Sequence, residues 1–363
     1  MAPGTNKQAF GGIDALRFCA AVSVALFHYC FWVWAFPQGI AGRAAGVAPQ
    51  ADLGNLFSWG WVGVEVFFVI SGFVIAFSAE SSSPTKFALA RVKRLVPAVL
   101  VCAPITAATL YAVHILSAES ATRLTLRTIA FIPSSPWIDS VYWTLGIEIF
   151  FYALIWALLL MGKIRWLENS AIAVGLVSTA FWLLFFPLGL ERFAETRILD
   201  LFLVHHGCFF AIGVLLWAMR TKGVNGKRVA LAILFNVVGL LQIISASNAI
   251  AGKVGSPLPV SAPILIYLIA IALVTASLWT RLPWSGWRKI GLATYPLYLI
   301  HNAVGAALIG KLQEIGVAYF ASALITLLLS VVFSCLVAWH LEPVLRTWFD
   351  SLPFMPQRVP SRP

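Results

Sequence analysis

Along the chain, apolar stretches of about twenty residues alternate with short polar and basic segments, and that length matches what a helix needs to cross a hydrocarbon core. Ten such stretches are read, at 13–36, 59–78, 95–116, 141–161, 170–187, 202–219, 229–246, 260–279, 292–309 and 317–339. The pattern predicts an all-α polytopic membrane bundle of about ten transmembrane helices in a single domain. The weakest boundaries lie around His205 and His206 and in the small-residue run near Ser245.

Composition agrees with this reading. With 60% hydrophobic and 11% charged residues the chain lies far from a soluble domain, which is about a quarter charged. The formal charge of +11 forms no basic stripe or nucleic-acid motif. It gathers instead in alternate loops, as positive-inside topology requires. One set holds Lys7; Lys86, Arg91, Lys93 and Arg94; Lys163 and Arg165; Arg220, Lys222, Lys227 and Arg228; Arg281, Arg288 and Lys289; and Arg346, Arg358 and Arg362. The other holds only Arg43, Arg123, Arg127, Arg192, Arg197, Lys253 and Lys311. Both termini are therefore expected in the cytoplasm. The first stretch is too long, and carries His28 too deep, for a cleaved signal peptide. Cys19, Cys30, Cys102, Cys208 and Cys335 lie unpaired in apolar runs and indicate neither disulfides nor a metal site.

Ionisable side chains inside the spans carry the candidate chemistry, since a charge at mid-bilayer costs a few kcal/mol and persists where it is used or paired. Arg17 and His28 are eleven residues apart in the first span. At helical pitch they share one face, within about 20° and roughly 16 Å along the axis. His28 lies roughly 12 Å below the outer end of its span, and Glu65 and Glu148 enter their own spans to roughly 10 Å. His301 also falls near mid-membrane, so the four suggest a shared polar cavity. At the inner surface Arg91 and Arg94 introduce the third span at the level of Arg17, and guanidinium clusters suit phosphate, although they also serve as topological anchors. Asp14 is read as the i,i+3 partner of Arg17. His205, His206 and His340 are placed at solvated span ends and Glu342 near the inner surface, so none is a site candidate.

These residues fall into a recognisable order. Arg17 with His28, the segment Gly63-Val64-Glu65-Val66-Phe67-Phe68-Val69-Ile70-Ser71-Gly72-Phe73, the pair Arg91 and Arg94, the run Trp143-Thr144-Leu145-Gly146-Ile147-Glu148-Ile149-Phe150-Phe151-Tyr152, and Tyr298-Leu299-Ile300-His301 together resemble acyltransferase family 3, the membrane O-acyltransferases. Glu65 stands where that family often has aspartate, and Thr144 where serine is common. The resemblance implies transfer of an acyl group, commonly acetyl, from cytoplasmic acyl-CoA to a hydroxyl of a carbohydrate, polysaccharide or glycolipid, in a bacterial inner (plasma) membrane. Arg17, Arg91 and Arg94 would hold the phosphates of CoA. His28 would act as general base or transient acyl carrier, with Glu148 orienting it, and Glu65 and His301 would bind the acceptor; no metal and no nucleic acid are implied. Many relatives carry an extracytoplasmic hydrolase-like domain, which is not expected here, so the chain would complete transfer itself or pass the acyl group to a separate extracytoplasmic partner. A multi-span transporter and a non-catalytic acyl- or glycan-handling relative are the alternatives. No inverted repeat is visible, and the arginine cluster suits a nucleotide-bearing donor better than a small ion.

Overall fold

The computed structural model describes residues 10–50, 54, 56–191, 196–280 and 286–350, and among these the regular elements are helical. The long helices are α1 (Gly11–Phe27), α3 (Gly63–Ala79), α4 (Pro84–Ala112), α6 (Trp143–Leu160), α7 (Leu167–Phe185), α9 (Gly207–Lys222), α10 (Gly226–Val254), α11 (Ser261–Ser277), α12 (Trp287–Glu314) and α13 (Tyr319–Leu336). Shorter ones are α2 (Ile40–Ala45), α5 (Ala118–Ile129), α8 (Arg197–Leu201) and α14 (Glu342–Asp350). Each of the ten expected spans falls on one of the long helices. Among the described residues, and counting the turns that continue them (Gly11–Ala35 for α1, Gly60–Ala79 for α3), eight are long and apolar enough to cross a membrane, while α9 and α11, at 16 and 17 residues, are shorter. At helical rise those two reach roughly 25 Å against a core of about 30 Å. Eight crossings thus follow from length and composition, with two shorter helices at the remaining expected positions. Residues 1–9 and 351–363, which carry both termini, and Arg192 and Arg281 of the charge tally lie outside the described residues.

The centre of the bundle is built on small residues. Backbones in a membrane approach closely where glycine faces glycine, because lipid offers no hydrophobic drive between helices. Gly72 of α3 and Gly213 of α9 meet in this way: a Cβ on Gly72 would strike the carbonyl of Phe210, and one on Gly213 the carbonyl of Val69. Helix α9 is buried continuously from Gly207 to Met219, and α12 is buried along most of its length. Helices α10, α11 and α13 form the rim, turning Ile233, Leu268 and Leu328 outward.

Three local departures from the expected boundaries position the site. First, Ser83 caps α4 by accepting from the Lys86 amide at 3.3 Å, with Pro84 at the first helical position. The helix therefore starts eleven residues before the expected boundary at 95, and Arg91 and Arg94 sit on its second and third turns, not in a loop ahead of it. Second, α9 starts at Gly207, not at 202. The preceding residues form a turn in which Leu203 adopts φ 63°, and this folds His205 and His206 into the protein, where both are buried instead of solvated. Third, α1 widens to a π turn over His28–Trp32 before resuming to Ala35. Such bulges displace side chains from the regular face and are frequent at functional sites.

Candidate functional site

A cavity of about 470 Å³ opens between α1, α3, α4, α6 and α12 at the end of the bundle where α1 begins. Arg17, Arg91, Lys93, Arg94, Arg288 and Arg346 line it, against two carboxylates, Asp14 and Glu148. The i,i+3 spacing of Arg91 and Arg94 on α4 turns both inward. Arg91 donates to Ser78 Oγ at 3.2 Å and lies over the rings of Phe87 and Tyr152. Arg94 lies over the Tyr295 ring at 5.3 Å, and both of its terminal nitrogens are buried without a hydrogen-bond partner among the described residues. Buried donors are nearly always satisfied, so a charged guanidinium left open in a cationic cavity marks a place for an anion. Arg346 is held there by Glu342, which is fully buried, and by donation from its Nε to the Lys93 carbonyl at 3.0 Å.

A smaller chamber of about 50 Å³ continues from this cavity, sharing Arg17, Ser71, Glu148 and Tyr295 with it. Its remaining lining is mostly apolar: Val64, Phe67 and Phe68 of α3, Leu145 and Thr144 of α6, and Thr294 and Tyr298 of α12. Glu148 stands at the junction, accepting from the Tyr152 hydroxyl and from Ser71 Oγ at 3.2 Å. Thr144 Oγ1 donates to the Tyr298 hydroxyl at 3.1 Å, and the Tyr298 ring lies 5.7 Å from that of His301.

His28 and His301 form a pair whose hydrogen bonds assign their tautomers. A carbonyl oxygen can only accept. His301 Nδ1 therefore carries its proton toward the carbonyls of Tyr298 (2.9 Å) and Leu297 (3.3 Å), and His28 Nδ1 carries its own toward Val24 (2.8 Å). In the neutral pair His301 Nε2 is then a lone pair, 3.1 Å from His28 Nδ1, and shares that proton. The remaining atom, His28 Nε2, keeps its lone pair and has no partner among the described residues. A second imidazole thus fixes the orientation of the first, the part often taken by a carboxylate beside a catalytic histidine.

The four mid-membrane groups accordingly separate. His28 and His301 meet; Glu148 faces the junction of cavity and chamber; Glu65 lies elsewhere, with Oε2 3.7 Å from His206 Nδ1. There the Gln242 amide is 2.6 Å from the same His206 nitrogen, and Asp200 accepts from His205 Nδ1 at 2.6 Å. Burial pushes the Asp200 carboxyl upward, but the bond from His205 and the charges of His206 and Arg197 outweigh it and hold the group below the usual carboxylate range. Sequence reasoning also passed over Asp139, fully buried, which accepts from Asn302 Nδ2 at 2.6 Å and the Ala303 amide at 2.8 Å. That carboxylate ties the start of α6 to the residues immediately after His301. The available signal was a lone aspartate just ahead of the Trp143 run.

Residues 10–339 match the sequence model of a family described as an acyltransferase domain, a stretch that contains every site residue named from the sequence. No curated protein and no solved structure matches the chain.

Proposed function

The chain belongs to this family of membrane acyltransferases, and from that premise we propose that it moves an acyl group, acetyl by preference, from acyl-CoA on the cytoplasmic side to a hydroxyl of a glycan, polysaccharide or glycolipid. The observation that carries the donor assignment is the cationic cavity with unpartnered Arg94 nitrogens, opening through Glu148 into a mostly apolar chamber. Six cationic side chains against two carboxylates leave a formal +4 there. A phosphomonoester carries about two negative charges near neutral pH, so a 3′-phosphate and a diphosphate together match that excess. Arg17, Arg91 and Arg94 hold those phosphates in this reading, with Arg288 and Arg346 contributing charge from α12 and α14. The thioester end extends past Glu148 toward Tyr298, which touches both the chamber and His301.

Chemistry falls to His28 Nε2. As acyl carrier it attacks the thioester carbon, the C–S bond breaks, and thiolate leaves. The acceptor oxygen then forms its C–O bond as the C–N bond breaks, and the hydroxyl proton ends on the CoA sulfur. As general base the same nitrogen takes the hydroxyl proton while the acceptor oxygen attacks the thioester directly. Both routes consume acyl-CoA and a hydroxyl and yield an ester and free CoA. His301 stabilises the charged imidazole in either case. Glu65, deep in its own polar cluster, is assigned to the acceptor side with His206.

Membranes carrying the wild-type chain or His28→Ala, supplied with acetyl-CoA labelled in the acetyl group, test this reading. Label should enter glycan or glycolipid with the wild type and fall to background with the variant. Equal incorporation would overturn the assignment.

A further inference from the structure

We propose that the chamber beyond Glu148 limits the transferred acyl group to about the size of acetyl, with Leu145 and Phe67 as the residues that set the limit. This rests on the acyl-CoA reading above. The two connected spaces differ roughly ninefold, about 470 Å³ for the cationic cavity and about 50 Å³ for the chamber. A void needs about 10–15 Å³ to admit one water-sized group, so the chamber admits about three to five. An acetyl group brings a carbonyl carbon, its oxygen and one methyl; a butyryl group adds two methylenes and reaches the upper end of that range, and a hexanoyl group exceeds it.

The walls are not free to give way. Phe68 is buried and packs on Phe210 at 4.9 Å between ring centroids. Phe67 lies edge-on to Tyr298 at 5.8 Å, and Tyr298 is tied across to Thr144 on α6. Opening the chamber by moving an aromatic wall would break contacts in a close-packed interior. Leu145, Phe67 and Phe68 are the large aliphatic or phenyl side chains of the lining that are absent from the cationic cavity, and Phe68 is held by Phe210, so shortening Leu145 or Phe67 enlarges the acyl space without touching a residue that meets the phosphates. Transfer of the longer acyl group balances as for acetyl: the C–S bond breaks, a C–O bond forms, and the acceptor proton leaves on CoA.

The test uses membranes carrying the full chain and its native acceptor, with acetyl-, butyryl- and hexanoyl-CoA each labelled in the acyl group. In the wild type, kcat/KM should fall about 10- to 200-fold per excluded methylene, the range for a pocket that discriminates by size. Leu145→Ala should raise the butyryl-to-acetyl ratio at least ~10-fold, with unchanged inhibition by free CoA. Phe67→Leu should move the ratio the same way and serves where Leu145→Ala does not accumulate in membranes. Equal use of acetyl and butyryl by the wild type would overturn the proposal, as would a wild-type ratio in both variants. Absence of transfer from any acyl-CoA by the wild type is a different result, which overturns the donor reading and the size limit together.

Discussion

Replacing His301 separates its orienting role from the chemistry of His28. Its Nε2 accepts from His28 Nδ1 at 3.1 Å, and that bond strengthens when His28 becomes an imidazolium on taking a proton or an acyl group. A hydrogen bond to a charged group is worth about 1.5–3 kcal/mol, or roughly 10- to 150-fold in rate. The loss should stop short of the about 10⁴-fold seen elsewhere when a catalytic histidine is left in the wrong tautomer, because the Val24 carbonyl still holds the Nδ1 proton at 2.8 Å. His301→Ala should therefore lower kcat by that factor of roughly 10 to 150 and leave KM for acetyl-CoA nearly unchanged, since His301 lines neither cavity. His301→Gln, whose amide oxygen can accept in the same place, should recover most of the rate. The assay is steady-state release of CoA thiol from membranes, with thermal unfolding of each purified variant in detergent to confirm that it is folded. Full activity in folded His301→Ala would refute the reasoning, and so would a Gln variant no better than the Ala variant.

Arg94→Lys keeps a charge but not the forked donors that stand open in the cavity, and KM for acetyl-CoA should rise by about tenfold at unchanged kcat, a measurement in the same thiol assay. Gly213→Ala drives a methyl into the α3 backbone at Val69 and Phe73 and should cost about 1–3 kcal/mol, read as a lower melting temperature; Gly226→Ala, whose added methyl meets nothing, should leave it in place. Asp200 has a carboxyl held below its ordinary range, so its contribution is present above the unfolded value of about 3.9 and is lost as pH falls through the folded value. Asp200→Asn should then melt lower than wild type at pH 7, with the gap closing below about pH 4 in melts across pH.

The apolar runs made the helical bundle legible because the bilayer restricts spanning structure to a few solutions. That Arg17 and His28 stand on one continuous helix was legible too, being a property of one local run. Contacts between distant helices were not: His28 and His301 are 273 residues apart, and nothing in either local sequence says that one ring nitrogen reaches the other. Boundary errors had the largest consequence. Ending the loop at residue 202 left His205 and His206 at a wet helix end, whereas a start at Gly207 folds them against Asp200 and Glu65. Arg288 and Arg346 were counted as markers of sidedness, and only the docking of α12 and α14 shows that they face the same cavity as Arg17.

Sealed vesicles of both orientations, carrying the chain and its native acceptor, offer the most direct measurement of the central claim that the acyl group travels from a cytoplasmic donor to His28. Labelled acetyl-CoA, which does not cross the bilayer, is supplied outside. Inside-out vesicles should incorporate label into glycan or glycolipid and right-side-out vesicles should not, with His28→Ala inactive in both. Incorporation by right-side-out vesicles alone, or equal incorporation by wild type and His28→Ala, would contradict the account.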